Sequence, residues 1–211
     1  MRNARVAQAP KLTRQERNEV IRNRLVRAAA DVVGELGYDE ASVARITDRA
    51  GVALGTFYNH FDNRQELLDE LLPTLGLGMV NYIQRNTDAN ASEAEQEFAR
   101  FRAFFGYLDE NPGFPRILNE AEFSAPEAFH RHVDNMSGPY QRLLRRARDK
   151  GAVRGFSDEE LDAVVHILMG ARSYLSQRNH ASGDHALSHD VIFSTYEKLL
   201  TGGLFAQPDA D

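Results

Sequence analysis

The spacing of the apolar residues is the feature that most restricts how this chain can fold. Between Arg17 and Leu36 apolar residues recur at intervals of three and four positions, which places them along one face of an α-helix. Composition favours the same structure, because Ala and Leu together number 47 whereas the β-branched residues Val and Ile number 19. No segment alternates apolar and polar residues between turn dipeptides, as β-hairpins do. We therefore predict an all-α fold of about nine helices.

Composition excludes several classes of protein. Apolar residues make up 42% of the 211 residues, but no uncharged apolar run approaches the ~20 residues that a membrane helix needs. The N-terminal residues are polar and basic and lack the pattern of a secretory signal. Without Cys, the chain has no disulfide, no thiolate metal site and no Cys nucleophile. We expect a cytoplasmic protein that has no membrane partner and needs no cofactor.

Charge is distributed unevenly along the chain. Residues 1–27 carry a net charge of +6, although the whole chain carries −6. A basic segment on an acidic protein favours local contact with a polyanion, and a solvated basic tail is the alternative. Residues 1–13 show no helical periodicity, so we predict a disordered basic arm there.

The segment after the first long helix has the signals of two short helices. Ser42 is a good N-cap for a helix over residues 43–50, and Gly51 readily ends one. Residues 52–54 form a tight turn, and residues 55–61 are predicted to form the second short helix. Such a pair makes a helix-turn-helix, which must pack on the preceding long helix to be stable. Its predicted core contains Ile46, Ala50, Val52, Phe57 and Phe61.

The helix that follows contains a proline. Asp62 and Gln65 have the spacing of a capping box, so we expect the helix to begin there, and Ser157 and Glu160 repeat that spacing before a later helix. Because proline removes a helical hydrogen bond, Pro73 predicts a kink or a break. The residue is then either a hinge that moves or a fixed kink that packing requires.

The helix-turn-helix segment carries a specific resemblance. The run from Gly51 to Phe61, followed by Asn63 to Leu67, resembles the DNA-binding region of the TetR (tetracycline-repressor) family of bacterial transcription regulators. The upstream positions that fit the same pattern are Ala29, Gly37, Tyr38, Ser42, Val43, Ile46, Arg49, Ala50 and Gly51. The resemblance covers about residues 17–70, and beyond them only the helical layout is similar.

This resemblance implies an organisation and a function. After the arm, it implies a DNA-binding domain over residues 14–62 and a helical effector-binding and dimerisation domain over residues 63–211. A protein of this kind binds a palindromic operator in double-stranded DNA as a homodimer, and a small-molecule effector of unknown identity releases it. We expect a repressor rather than an activator.

The second short helix supplies most of the candidate DNA contacts. The N-terminal residues of such a helix face base edges in the major groove, where Gly55 would allow close approach and Asn59 has the geometry to bind adenine. In the resembling family the counterparts of Thr56, Tyr58, His60 and Arg64 contact DNA. The candidate DNA-binding residues are Ser42, Val43, Arg45, Leu54, Gly55, Thr56, Tyr58, Asn59, His60 and Arg64.

Two positions depart from the pattern of the family. Ala53 stands where Ser or Thr is usual, so the second short helix lacks a side-chain cap, at a cost of ~1 kcal/mol. Arg64 replaces the usual Lys and keeps the charge. The alternative is that Tyr58 and His60 are surface residues of a helix-turn-helix that serves only to dock on another protein.

The C-terminal helices supply aromatic and aliphatic residues together with a few polar groups, the usual composition of a ligand pocket. Arg172, on an otherwise apolar helix, is expected to pair with Glu120 or Glu122 or to bind an anionic effector. The candidate pocket residues are Phe101, Phe105, Ile117, Glu120, Phe123, His130, His166 and Arg172.

The apolar stripes of the last two helices predict a dimer interface, with an intramolecular core as the alternative. The candidate interface residues are Leu161, Val164, Val165, Leu168, Leu175, Ile192 and Tyr196.

The main alternative function is enzymatic. Glu127 and His130 have the Glu-x-x-His spacing of di-metal helical bundles, and Glu120 and Glu122 are near in sequence. Such a site needs this motif on two helices, and it occurs once. The chain also lacks a phosphate-binding glycine loop and a G-x-S-x-G nucleophile motif. We therefore predict no catalytic and no metal-binding residues, and a helical protein-docking adaptor is the second alternative.

Overall fold

Helices account for all the regular structure in the described part of the chain. The computed structural model describes residues 13–182 and 186–204, without the side chains of residues 180–182. These residues form nine helices and no β-strand, which confirms the predicted all-α fold. None of these helices is long and apolar enough to cross a membrane. The helices are α1 (Arg14–Leu36), α2 (Val43–Ala50), α3 (Leu54–Phe57), α4 (Arg64–Arg85), α5 (Glu93–Glu110), α6 (Phe114–Ser124), α7 (Pro126–Asp149), α8 (Asp158–Ser182) and α9 (His189–Gly202).

The first helix begins with a capping box. The Thr13 hydroxyl accepts a hydrogen bond from the Glu16 amide at 3.2 Å, and the Thr13 amide donates to the Glu16 carboxylate at 2.6 Å. These bonds satisfy two backbone donors, and α1 begins at Arg14, earlier than the apolar spacing predicts. The predicted arm, apart from Thr13, lies outside the described residues.

In the N-terminal unit α2 packs against α1, and α3 packs against α2. Of its predicted core, Ile46, Ala50, Phe57 and Phe61 are buried, and Val52 is half-buried. The apolar stripe of α1 is buried from residue 25 to residue 33 apart from Arg27, Ala30 and Asp31, whereas Val20 and Leu36 at its ends are exposed. The helix-turn-helix therefore has a rigid apolar base.

The second helix of this pair is shorter than predicted. α3 covers Leu54–Phe57 rather than residues 55–61, and its N-cap Ala53 makes no side-chain hydrogen bond, as expected. Beyond it the amide of His60 donates to the carbonyl of Phe57 at 2.9 Å, and a bond between residues three apart closes a tight turn. The C-terminal half of the predicted helix is therefore a turn.

The predicted break at Pro73 is wrong, because α4 continues through it to Arg85. Proline lacks the amide that would donate to the carbonyl four residues earlier, that of Asp69. The Nη2 atom of Arg131, from α7, donates to this carbonyl at 3.2 Å. A side chain from the body thus replaces the missing helical bond and explains why the helix is not interrupted.

Two predicted capping boxes have different outcomes. At the start of α4 the N-cap is Asn63, whose side chain accepts from the Glu66 amide at 3.0 Å, so the prediction at Asp62 and Gln65 was wrong by one residue. Before α8 the Ser157 hydroxyl accepts from the Glu160 amide at 3.2 Å, and the Ser157 amide donates back at 2.7 Å. The second box is confirmed.

The N-terminal unit meets the C-terminal helices where α1 crosses α6. A Cβ placed on Gly34 would lie 2.7 Å from the Cα of Gly113, so the two backbones touch because neither residue has a side chain. The Glu120 carboxylate of α6 accepts from the Tyr38 amide at 2.8 Å. This junction and the continuous α4 connect the helix-turn-helix to the rest of the molecule.

Candidate DNA-binding surface and effector cavity

The candidate DNA-contact residues lie in and around α2 and α3 and at the start of α4, and they differ in exposure. Leu54 and Tyr58 are 52% and 56% exposed, and a Cβ on Gly55 would meet no atom within 4 Å. Ser42, Arg45, Leu54, Gly55, Tyr58 and Asn59 are exposed, and Val43, Thr56, His60 and Arg64 are half-buried. Six of the ten candidate residues are therefore accessible to a partner, and the other four are partly accessible.

The ring of Tyr58 is held by the core residue before it. Phe57 is fully buried, and its ring meets that of Tyr58 edge-on, with 5.2 Å between centroids. An edge-to-face pair of this kind restricts the exposed ring while leaving its hydroxyl free to reach outward. Tyr58 is thus oriented by the packing beneath it.

The start of α2 carries a hydroxyl and a guanidinium that already have partners. The Ser42 hydroxyl accepts from the Arg45 amide at 3.3 Å and caps the helix. The Arg45 guanidinium donates to the Glu40 carbonyl at 2.9 Å and forms an exposed ion pair with the Glu40 carboxylate. Exposed pairs of this kind are weak, so a phosphate can compete for Arg45.

Arg64, one of the candidate DNA contacts, is bonded largely within the protein. Its Nε donates to the Ala41 carbonyl at 2.8 Å, and its Nη2 donates to the Tyr38 carbonyl. Two of its three nitrogens are therefore used to join α4 to the loop between α1 and α2. This loop ends at Ser42, the N-cap of α2, so Arg64 holds in place the segment that leads into α2.

The C-terminal helices enclose a cavity of about 680 Å³ between α4, α5, α7 and α8. This volume lies in the range of small-molecule sites. The apolar residues that line it are Met79, Val80, Ile83, Ala89, Phe104, Leu118, Phe129, Val133, Met136, Pro139, Leu143, Met169 and Gly170. The polar residues are Gln84, Thr87, Gln96, Arg100, His132, Tyr140, His166, Arg172 and Ser173.

Only His166 and Arg172 of the predicted pocket residues line this cavity. The rings of Phe101 and Phe105 pack instead against Phe193 of α9, at centroid distances of 6.0 and 5.7 Å. The reason is helical geometry, since these two positions face α9 while Phe104 faces the cavity. The prediction for Phe101 and Phe105 was therefore wrong.

The other four predicted pocket residues also lie elsewhere. Phe123 is 85% exposed and His130 is exposed, because both point away from the helices that enclose the cavity. Ile117 lines a separate cavity of about 380 Å³ beside α1. Glu120 accepts a hydrogen bond from the Tyr38 amide at the junction with the N-terminal unit. The spacing of these residues in the sequence could not show which of them would lie in solvent, beside α1 or at the junction with the N-terminal unit.

Behind the cavity wall lies a buried cluster that the sequence did not reveal. The Glu97 carboxylate of α5 forms an ion pair with Arg172 and accepts hydrogen bonds from the hydroxyls of Tyr140, at 2.6 Å, and Tyr196, at 2.7 Å. Burial raises the pKa of both tyrosines, so they are neutral donors. Arg172 therefore pairs with Glu97 and not with Glu120 or Glu122. The available signal was the spacing of Glu97 from Phe101 and Phe104, which puts the acid on the buried face of α5.

The imidazole of His132, in the cavity wall, is buried and has a nitrogen without a hydrogen-bond partner. His132 is 5% exposed, and its Nδ1 makes no hydrogen bond within the described structure. Burial lowers the pKa of His132 to about 4, because the charged imidazolium is poorly solvated there. The ring is therefore neutral near pH 7.

The predicted dimer stripes are largely used within the monomer. Leu161, Val165, Leu168, Ile192 and Tyr196 are buried, and Val164 and Leu175 are half-buried. These faces pack on α5, α6 and α7, so the intramolecular core was the correct alternative for them. The opposite face of α8 exposes Ile167 and Tyr174, at 68% and 66%, and Gly170 between them is open. On α9, Val191 and Leu199 are 50% and 45% exposed.

The arrangement does not assemble the di-metal site that was the enzymatic alternative. No group of three His, Asp or Glu side chains in the described residues is placed to hold a metal ion. Glu127 and His130 are exposed at the start of α7, and Glu120 is bonded to the Tyr38 amide.

Comparison with known proteins agrees with the architecture. Residues 25–71 match the model of the bacterial regulatory proteins of the tetR family. The chain is 23% identical over 185 residues to the HTH-type transcriptional repressor KstR2 of Mycobacterium tuberculosis, covering 87% of this chain and 92% of that protein.

Two solved structures have the same fold along most of their length. The fatty acid degradation regulator FadR from Bacillus halodurans superposes with a TM-score of 0.76 at 20% identity, covering 94% of this chain and all of that one. The transcriptional regulator FadR from Bacillus subtilis, in complex with stearoyl-CoA, gives a TM-score of 0.74 at 17% identity and covers 87% and 99% of the two chains. Taken with the family match across the helix-turn-helix, these similarities support a transcriptional regulator of the TetR family.

Proposed function

We propose that this protein is a cytoplasmic repressor that binds a palindromic operator as a homodimer and is released by a small-molecule effector. The observation that carries the proposal is the exposed surface of α3 on a rigid three-helix unit of a known DNA-binding family. The neighbouring faces of α2 and α3 are both open, as insertion into a groove requires.

The recognition surface has two parts with different tasks. Thr56, Tyr58 and Asn59 would face base edges in the major groove and discriminate sequence. Ser42 and Arg45 would contact phosphates and fix the orientation of the unit, which carries no sequence information by itself. Binding should weaken steeply with salt, because phosphate neutralisation releases counterions.

Dimerisation would use the exposed face of α8 together with α9. Ile167 and Tyr174 form an apolar stripe on α8, and Gly170 between them would permit close approach of a second helix. Exposed apolar patches of this kind mark association sites in soluble proteins. A two-fold dimer presents two copies of α3 and therefore matches a palindrome.

The effector would bind in the cavity of about 680 Å³. Most of its lining is aliphatic, aromatic or thioether, so a ligand with an extended apolar part is favoured. The structurally similar Bacillus subtilis regulator was solved with stearoyl-CoA, which supports an acyl-type effector for the present protein.

The helix α4 offers a route between the effector and the DNA surface. It packs against α1 of the N-terminal unit, where Leu67 and Leu71 are buried in the core, and its C-terminal half lines the cavity through Met79 and Ile83. Pro73 lies between these two pairs of residues, where a flexible point would let strain from the cavity move α3. A fixed kink needed only for packing is the alternative.

The test is selection of DNA from a random pool at near-physiological salt, followed by affinity measurement on the selected site. We expect a palindrome whose half-sites lie about one helical turn apart. Gly55→Ala should weaken binding at least tenfold without loss of fold, because the added methyl meets no protein atom and stands where DNA would approach.

The matched control is Gly202→Ala at the end of α9, which also meets no atom within 4 Å and lies far along the chain from α3. It should leave DNA affinity unchanged. A folded, dimeric protein that enriches no sequence with or without acyl ligands would contradict the proposal and favour the protein-docking adaptor.

A further inference from the structure

The wall of the cavity carries positive charge in an acidic protein. Two arginines, Arg100 and Arg172, line it, and none of the described lining residues is Asp or Glu. The chain as a whole carries a net charge of −6, so this local excess is not a consequence of composition. The side chains of Arg100 and Arg172 are only 15% and 11% exposed, which makes their charges costly unless they are compensated.

One carboxylate serves both guanidinium groups. Glu97 Oε1 pairs with Arg172, while its Oε2 lies 3.8 Å from Arg100 Nη1, beyond hydrogen-bonding distance. The two tyrosines bonded to Glu97 are neutral, since burial raises their pKa. The cluster of Arg100, Arg172 and Glu97 therefore has one positive charge in excess.

The same cluster contains donors without acceptors. Arg100 Nη1 and Arg172 Nε are buried and have no hydrogen-bond partner among the described residues. Buried polar groups are almost always satisfied by the protein, by water or by a ligand, and leaving one unsatisfied is destabilising. Arg100 Nη2 donates to Gln96 Oε1 at 2.6 Å, which fixes the direction of the guanidinium at the wall.

We propose that the cavity binds its effector through a carboxylate held by Arg100 beside Arg172, with the apolar part of the effector along Met79, Ile83 and Met136. This inference rests on the proposed effector function of the cavity and specifies its ligand class, an amphipathic monocarboxylic acid. One negative charge balances the single excess positive charge. A planar carboxylate also matches the fork of a guanidinium, which donates two parallel hydrogen bonds.

A carboxylate is favoured over the other anionic groups that an acyl ligand could carry. A phosphate dianion would leave the buried cluster with excess negative charge. A CoA thioester has no carboxylate at the end of its acyl chain, so its acyl carbonyl could accept one hydrogen bond from Arg100 but could not neutralise it. The free acid and its CoA thioester therefore serve as separate arms of the test.

The experiment is isothermal titration calorimetry of the full-length protein with four probes that share one chain: decanoic acid, decanamide, decylamine and decanoyl-CoA. At pH 7.5 the acid is charged and the amide of nearly equal shape is neutral. We expect the acid to bind at least tenfold more tightly than the amide and the thioester, and the amine to be weakest, because its charge repels the cluster.

Variants of one arginine isolate the contact. Arg100→Gln leaves the pair of Glu97 and Arg172 in place, so the fold should survive, and the acid should lose its tenfold advantage while amide binding stays unchanged. Arg100→Lys should recover part of the loss because it restores the charge. The matched control is Arg102→Gln on the same helix, whose side chain is 51% exposed and pairs with Glu197 outside the cavity.

The outcomes separate this inference from the function on which it rests. Equal binding of acid and amide, or an Arg100→Gln variant that keeps the preference, would overturn the carboxylate site while leaving the effector cavity intact. Tightest binding of the thioester would overturn it in favour of recognition through CoA. Failure of all four probes to bind would contradict the acyl-type effector itself, and the carboxylate site with it.

Discussion

Buried polar side chains in this protein differ in whether the fold satisfies them. Glu97 Oε1 receives three donors from three other helices and so ties α5, α7, α8 and α9 together, whereas Glu97 Oε2 has no hydrogen-bond partner among the described residues. Arg102, on the same helix but exposed, makes an ion pair of the weak surface type. The contrast shows that environment, rather than residue type, decides what a charge contributes.

We expect His132 to make the unfolding free energy of the protein depend on pH. Its folded-state pKa is about 4, below the ordinary 6.5, so the unfolded chain binds more protons between these values. The contribution of neutral His132 to the unfolding free energy is complete above pH 6.5. It is lost as the pH falls toward 4, and the total loss is about 3 kcal/mol. We expect His132→Gln to flatten the pH dependence of the unfolding free energy in this window.

The measurement is urea denaturation at several values between pH 4 and pH 7, compared with His130→Gln. His130 is two positions away on α7 but exposed, so its replacement should leave the wild-type slope. Parallel curves for the His132 variant and the wild type would show that the imidazole is solvated in the native state.

At the scale of elements, the contact of α1 with α6 depends on two glycines. Alanine normally stabilises a helix interior relative to glycine by roughly 0.5–1 kcal/mol. At Gly34 we expect the opposite sign, a loss of about 1–3 kcal/mol, because the new methyl would lie 2.7 Å from the backbone of Gly113. Thermal or urea unfolding measures the difference.

Gly55→Ala is the control for this sign reversal, since α3 is open at that position and the substitution should be neutral or slightly stabilising. A Gly34→Ala variant more stable than the wild type would mean that α1 and α6 separate easily. The junction would then be unable to transmit strain between the proposed effector cavity and the proposed DNA-binding surface.

Pro73 in α4 is the basis of a second prediction at the scale of elements. Pro73→Ala supplies an amide that can donate to the Asp69 carbonyl, in competition with Arg131, and should stabilise α4 by about 1 kcal/mol. If Pro73 is a hinge, the stiffer helix should need a higher effector concentration for half-release from operator DNA. Fluorescence anisotropy of labelled operator follows this release.

Pro112→Ala, in the exposed connection between α5 and α6, is the matched control and should leave release unchanged. An unaltered release curve for Pro73→Ala would contradict the hinge and support the fixed kink.

At the scale of the whole molecule, the exposed apolar face of α8 is the proposed dimer interface. Replacing Ile167, 68% exposed, by Glu should leave the monomer folded, because no core contact is lost. We expect the dimer to dissociate at least tenfold more readily and operator affinity to fall, since one monomer contacts only one half-site. Sedimentation velocity over a concentration series measures the first effect.

Phe123→Glu is the comparison, because Phe123 is even more exposed, at 85%, but lies at the end of α6. It should change neither association nor DNA binding. If Ile167→Glu remains fully dimeric while Phe123→Glu does not, the interface lies on the α6 side of the molecule.

The sequence by itself determined the features that depend on contacts between residues a few positions apart. The apolar spacing of α1, the cap at Ser42 and the glycine stop at Gly51 define helices through contacts between residues a few positions apart, and these predictions were confirmed. The absence of a cap at Ala53 was also predicted from the residue alone. The family pattern in residues 17–70 depends on the same short-range order, which is why it was recognisable.

Only the tertiary structure decided which face of each later helix meets which neighbour. Helical periodicity shows that Phe101, Leu161 and Ile192 lie on apolar faces, but an apolar face serves equally well as core, pocket or interface. The partner of Arg172 is Glu97, 75 positions away, and α4 continues through Pro73 because Arg131 of α7 completes its hydrogen bonding. These choices depend on contacts between distant segments, whose free energies belong to the packed fold and to no single stretch of the chain.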